Sequence, residues 1–125
     1  QTAETGRRLR AVSFRFLPAG GALTLDYGHE SVTCTLSELR CRLIATLLQP
    51  PSGMGRDEFV SDEWVLSRVW PGQAARSHHD LNTLVHRLRK DLLKHGVDPT
   101  RLIERARQGG GTRLLLSPRV KISVQ

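Results

Sequence analysis

Side chains that donate hydrogen bonds crowd into one short stretch of the chain, 77–96, which reads SHHDLNTLVHRLRKDLLKHG. At about 100° per residue, a helix would set His79, Thr83, His86, Lys90 and Lys94 on one face, with Asn82, Arg87 and Arg89 on its shoulders. Such donors suit base edges and phosphate oxygens. They do not suit a metal, because His79 and His86 stand two turns apart and no acid or thiol lies near them in sequence; His78 does not complete a site. The run Gly109, Gly110, Gly111 lacks the Lys-Ser/Thr pair of a phosphate loop and reads as a hairpin turn. Ser37, Ser61 and Ser77 read as helix caps or first-turn residues rather than nucleophiles. No enzyme, no metal and no cofactor is expected.

The same stretch carries its own scaffold. Leu81, Leu84, Val85, Leu88 and Leu92 form a narrow apolar stripe at helical spacing. Ser77 is placed to cap the first turn with Asp80 at N3, and Gly96 is a natural stop. Taken alone, this is equally the pattern of a surface helix with a solvated basic face. The charge distribution argues for more. Residues 1–75 hold 8 Lys/Arg and 8 Asp/Glu, whereas residues 76–125 hold 11 Lys/Arg and 4 Asp/Glu, so the whole net charge of +7 lies in the part containing this helix. A polyanion, most simply nucleic acid, is the partner such a distribution implies. Aromatics make up only 5% of the residues, which argues against a stacking platform for single strands.

At 125 residues the chain is read as one domain with a modest core. No apolar run approaches the ~18 residues of a membrane span, and no signal peptide is visible. Because the chain opens on Gln1 rather than Met, it is expected to be a piece of a longer protein, with a cytoplasmic location. Cys34 and Cys41 lack the spacing of a zinc knuckle or a redox pair and read as small, semi-buried thiols of a reducing compartment. Trp64 and Trp70 read as core or core-edge residues.

Residues 1–9 read as a flexible basic arm. AVSFRFL, ALTLDY and SVTCT then read as three short strands of an antiparallel meander, separated by glycine-containing turns. Thr35 and Glu38 fit a capping box that opens a first helix, which Pro50 and Pro51 end. After a loop, Ser61 caps a second helix that stops at Pro71 and Gly72, and QAARS leads into the donor-bearing third. Beyond Gly96, LIERAR and RLLLS read as the two strands of a hairpin carrying Arg105, Arg107 and Arg113. The segment 117–125 reads as a tail or linker, or else as an edge strand. The expected fold class is therefore α+β: an N-terminal antiparallel β-meander, three helices with a helix-turn-helix, and a C-terminal β-hairpin wing, the domain proper covering residues 10–116.

With LSELRCRLIATLL as first helix, VSDEWVLSRVW as second, LNTLVHRLRKDL as recognition helix and LIERARQGGGTRL as wing, the sequence resembles the OmpR/PhoB-type winged helix. The run DLNTLVHRLRKDL is closest to its ToxR/CadC-like branch. The resemblance implies a sequence-specific double-stranded DNA-binding domain of a bacterial-type transcription regulator, a homodimer on tandem half-sites. Helix 78–94 would lie in the major groove, and wing 102–116 on the backbone or minor groove. Carried over by position, His79, His86, Arg87 and Arg89 match DNA-contacting positions, Arg87 being the candidate for a guanine edge; Asn82, Thr83 and Lys90 are further contacts. Arg105, Arg107 and Arg113 would be the basic wing positions. The connector 71–76, opening on Pro71 and closing on Arg76, matches a segment that can touch RNA polymerase. Two features depart from the family pattern. Thr112 stands where the wing usually has an aromatic residue, in a turn one residue longer than usual, and the loop 53–60 is long. The rival reading is a winged-helix protein-interaction module that binds RNA polymerase or a partner regulator through the same basic face. Double-stranded RNA is the weaker rival, since a reading helix fits the B-form groove better than the deep, narrow A-form one.

Overall fold

The computed structural model describes residues 8–125, so positions 1–7 of the expected basic arm lie outside the described residues. Alternating side chains build the first sheet. In β1 (Ala11–Leu17), Val12 and Phe14 point into the core; in β2 (Gly20–Asp26), Leu23 and Leu25 do; in β3 (Ser31–Leu36), Cys34 and Leu36 do. The strands pair antiparallel with Phe14 opposite Leu23 and Leu23 opposite Cys34, which aligns the inward side chains on one face.

Helix α1 (Glu38–Leu48) crosses that face and buries Cys41, Leu43, Ile44, Ala45, Leu47 and Leu48. The expected capping box at its start does not form. Its N-cap is Ser37, without a side-chain cap bond, because Thr35 and Leu36 remain extended in β3 opposite Ala22 and Gly21. Both cysteines are fully rather than partly buried, at 0% and 1% exposure. Burial pushes the Cys34 thiol from 9.0 up to about 11, helped by the charge of Asp91, and does the same at Cys41, helped by Glu38. Such thiols are poor nucleophiles and poor metal ligands.

After the loop, the two-residue strand β4 (Val60–Ser61) leads directly into α2 (Asp62–Val69), whose Ser61 N-cap accepts from the Trp64 amide at 3.3 Å. Helix α3 (His78–Lys94) has the expected capping box: the Ser77 hydroxyl accepts from the His79 amide at 3.3 Å, and Asp80 accepts from the Ser77 amide at 2.9 Å. It ends where expected. Gly96, at φ 78°, lets the Val97 amide reach back to the Leu92 carbonyl at 2.9 Å and its own to that of Leu93 at 3.0 Å. Leu81, Leu84, Val85, Leu88 and Leu92 are all buried, so the stripe is the packed face. A 3-10 turn (Pro99–Arg101) follows. Asp98 caps it through the Thr100 hydroxyl and amide, which hold its carboxyl below the ordinary carboxylate range.

The hairpin is shorter than LIERAR and RLLLS suggest. It pairs β5 (Ile103–Arg105) with β6 (Gly111–Leu114), and β6 also pairs with β4, giving a second sheet in the order β4-β6-β5. At Gly111 the chain passes close to Phe59: an added Cβ would stand 3.1 Å from the Phe59 Cβ. Glycine admits the approach and the ladder to β4 follows.

Of the readings open for the segment 117–125, the edge strand is the one that forms, not a tail or linker. Its strand β7 (Lys121–Val124) lies parallel to β1, Ala11 opposite Lys121 and Phe14 opposite Val124, making the first sheet β3-β2-β1-β7. Arg56, from the long loop, donates to the carbonyls of Val120 (2.6 Å) and Pro118 (3.2 Å) and ties loop to crossover. Among the described residues the chain is thus α+β, with three α-helices and two small sheets around one core, and no helix is long and apolar enough to cross a membrane.

Two stability outcomes follow from this packing. Leu88 is 0% exposed, and Leu88→Ala should cost about 2–5 kcal/mol by urea unfolding through the cavity it leaves. Deleting residues 118–125 removes buried Val120 and uncovers the β1 edge, and should cost at least about 2 kcal/mol in the same assay. Unchanged stability would contradict an integral β7.

Candidate nucleic-acid interface

The outward face of α3 carries His79, Asn82, Thr83, His86, Arg87 and Lys90, all exposed, and continues through Lys94. At ~1.5 Å per residue, the distance from His79 to Lys90 is about 16 Å along the axis. The His79 ring packs against His78, centroids 4.3 Å apart, and the Thr83 hydroxyl donates to the His79 carbonyl at 3.1 Å. Neither acid of α3 dilutes this face. Asp80 is engaged in the cap and faces Arg76 at 3.5 Å, and Asp91 pairs with Arg40 of α1 at 2.9 Å.

Arg89 differs from the other α3 candidates. It is half-buried on the shoulder of the helix, and its Nε is enclosed with no hydrogen-bond partner, so part of its donor set is turned away from the outer face.

The hairpin arginines divide more sharply. Arg107 is exposed beside Gln108 at the hairpin turn, as expected. Arg105 is not an open wing cation. Its Nη1 and Nη2 grip the Asp62 carboxylate at 2.6 and 3.2 Å, Nη1 also donates to the Thr112 hydroxyl at 2.9 Å, and Nε donates to Asn82 Oδ1 at 3.0 Å. The Arg105 and Asp62 side chains are only 13% and 11% exposed. A largely buried guanidinium must find such a partner, and this one is spent on joining β5, β6, α2 and α3. Asn82 is drawn into the same network through its carbonyl, leaving its amide as the outward donor.

Arg113 is likewise occupied. It pairs with Glu104 at 2.7 Å, donates to the Asp57 carbonyl at 3.0 Å and lies 4.5 Å from the Phe59 ring centroid. It staples the hairpin to the long loop instead of projecting from a wing. The residues that sequence reasoning missed are therefore Asp62 and Thr112, the two buried polar side chains of the described chain. Asp62 carries only the signal of an acid in a first helical turn, and Thr112 only that of an absent aromatic. Nothing local links either to Arg105.

The connector 71–76 is exposed throughout. Arg76 folds over the Trp70 ring at 5.2 Å, and the Arg76 amide donates to the Gln73 carbonyl at 3.2 Å. Among the described residues, no group of three or more His, Cys, Asp or Glu is placed to hold a metal ion. No family model matches the chain, and neither a curated protein nor a solved structure matches it.

Breaking the network from the acid side leaves a largely buried arginine without its counter-charge. Asp62→Ala should therefore cost about 3 kcal/mol or more in unfolding free energy. Arg105 Nε–H exchange, followed by NMR, should accelerate in the variant. A loss below about 1 kcal/mol would mean that the pair is solvated like an ordinary surface bridge.

Proposed function

We propose that this chain is a winged helix-turn-helix domain of the OmpR/PhoB type, in its ToxR/CadC-like branch, and that it reads double-stranded DNA by sequence for a transcription regulator. The observation that carries the reading is the outer face of α3: exposed donors and cations over about three turns, with both of the helix's acids tied up elsewhere. A helix ~10–12 Å across fits the ~12 Å major groove. Arg87 is the base reader, able to pair bidentately with a guanine edge, and His79, Asn82, Thr83, His86 and Lys90 contact neighbouring bases or phosphates. Arg107 lies on the backbone or in the minor groove beside it.

In this reading Arg105 and Arg113 set the position of the hairpin and touch no phosphate directly. Arg89 is at most a contact of the groove edge. The exposed connector 71–76 is the surface offered to RNA polymerase, two copies occupy tandem half-sites, and the work takes place in the cytoplasm.

The experiment is selection from a random duplex pool at several salt concentrations. A short enriched motif with a steep salt slope is the expected result. On that site Arg87→Ala should lose about 1–3 kcal/mol and relax the preference at one position, whereas Arg107→Ala should weaken all sequences alike and lower the salt slope by about one. Equal losses on specific and random DNA for Arg87→Ala would remove it as a base reader. No binding at low salt would overturn the DNA reading in favour of a protein-interaction module using the same face.

A further inference from the structure

A second surface, built from elements that the α3 face does not use, combines exposed aromatic area with unbalanced charge. On β1, Phe16 continues the inward register of Val12 and Phe14, yet it is 52% exposed, because the core ends at Phe14. The two rings meet edge-on, 5.0 Å between centroids, which places Phe16 at the margin of the core. From α2, Trp64 is half-buried, with the guanidinium of exposed Arg68 stacked 4.7 Å from its ring centroid. Between Phe16 and Trp64 runs an open groove of about 510 Å³, bordered by Pro50, Pro51 and Arg42.

Its lining contains two arginines and no carboxylate, although residues 1–75 as a whole are electrically balanced. Arg42 is already balanced: Nη2 pairs with Glu38 at 2.9 Å and Nη1 donates to the Val69 carbonyl at 3.2 Å, so the excess charge of the groove is that of Arg68. Arg68 meets no carboxylate among the described residues. Trp and Arg are among the side chains enriched at the energetic centres of protein contacts.

We infer that this groove docks an acidic segment of a partner protein, an extended stretch in which Asp or Glu residues flank a Leu or an aromatic side chain. The apolar residue would enter between Phe16 and Trp64, and a flanking carboxylate would pair with Arg68, where the fork of the guanidinium matches a carboxylate. A second copy of the chain is the poorer occupant, since two bodies of net charge +7 repel. None of the residues lining the groove is among those assigned to DNA, so different variants test docking and DNA reading.

The test is a selection of displayed random decapeptides on the intact chain, followed by synthesis of the consensus peptide and titration by fluorescence anisotropy. The expected consensus has acids around one Leu, Phe or Trp. Its affinity should fall by at least about tenfold in Arg68→Glu and in Phe16→Ser, and stay unchanged in Arg87→Ala and Lys90→Ala. Arg68→Glu alters an exposed side chain and decides the matter should Phe16→Ser lower the Tm. Four peptide-binding results would overturn the inference. These are no enriched consensus, a basic or uncharged consensus, binding retained in Arg68→Glu, or binding lost in Lys90→Ala, which would move the acids to α3. Sedimentation showing a dimer that Phe16→Ser dissolves would give the groove to a second copy and overturn it as well.

Discussion

The ion pair between Arg105 and Asp62 is the interaction on which the working geometry of this chain depends. Both side chains are almost enclosed, and an enclosed charge without its partner costs several kcal/mol. The pair therefore permits very few arrangements of the elements that carry it. Asp62 opens α2, Arg105 ends β5, Thr112 belongs to β6 and Asn82 to α3, so one guanidinium sets four elements against each other. Its net contribution to stability is modest, because desolvating two ions offsets most of their attraction. What it contributes is register: the hairpin turn with Arg107 is held at one offset from the donors of α3.

Charge is sorted across the molecule by the same logic. The excess of cations in residues 76–125 does not simply spread over the surface. Arg105 and Arg113 turn back to Asp62 and Glu104, and the acids Asp80 and Asp91 turn back to the cap of α3 and to Arg40. What is left outward on α3 is nearly all donor and cation. A field of one sign over a convex helix steers a polyanion toward it and is sensitive to salt. The groove at Phe16 and Trp64 repeats the pattern on a smaller scale, with Arg42 paired to Glu38 and Arg68 left outward over the Trp64 ring.

Both surfaces rest on one core that the last strand helps to close. β1 lies between β2 and β7, and the crossover to β7 passes under Arg56 of the long loop. That loop is consequently ordered at both sides, by Arg56 to the crossover and by Asp57 and Phe59 to Arg113. Its length is used to bind the two sheets together.

Features that depend on neighbours in sequence were legible in the sequence. The stripe of Leu81, Leu84, Val85, Leu88 and Leu92 dictates which side of α3 is buried, and hence which donors are exposed, because helical period is a local property. The Ser77–Asp80 capping box, the Gly96 stop and the three-strand meander are local in the same sense. Where local signals competed, the tertiary structure decided: Thr35 was a credible N-cap until pairing with Ala22 kept it in β3. Partners far apart in the chain were not legible at all. Arg105 and Asp62 lie 43 positions apart, and β7 meets β1 more than a hundred positions upstream. Side-chain type declares that an arginine will seek an anion. Only the packed chain determines whether that anion is its own carboxylate, as for Arg105 and Arg113, or whether the guanidinium stays exposed, as for Arg87 and Arg107.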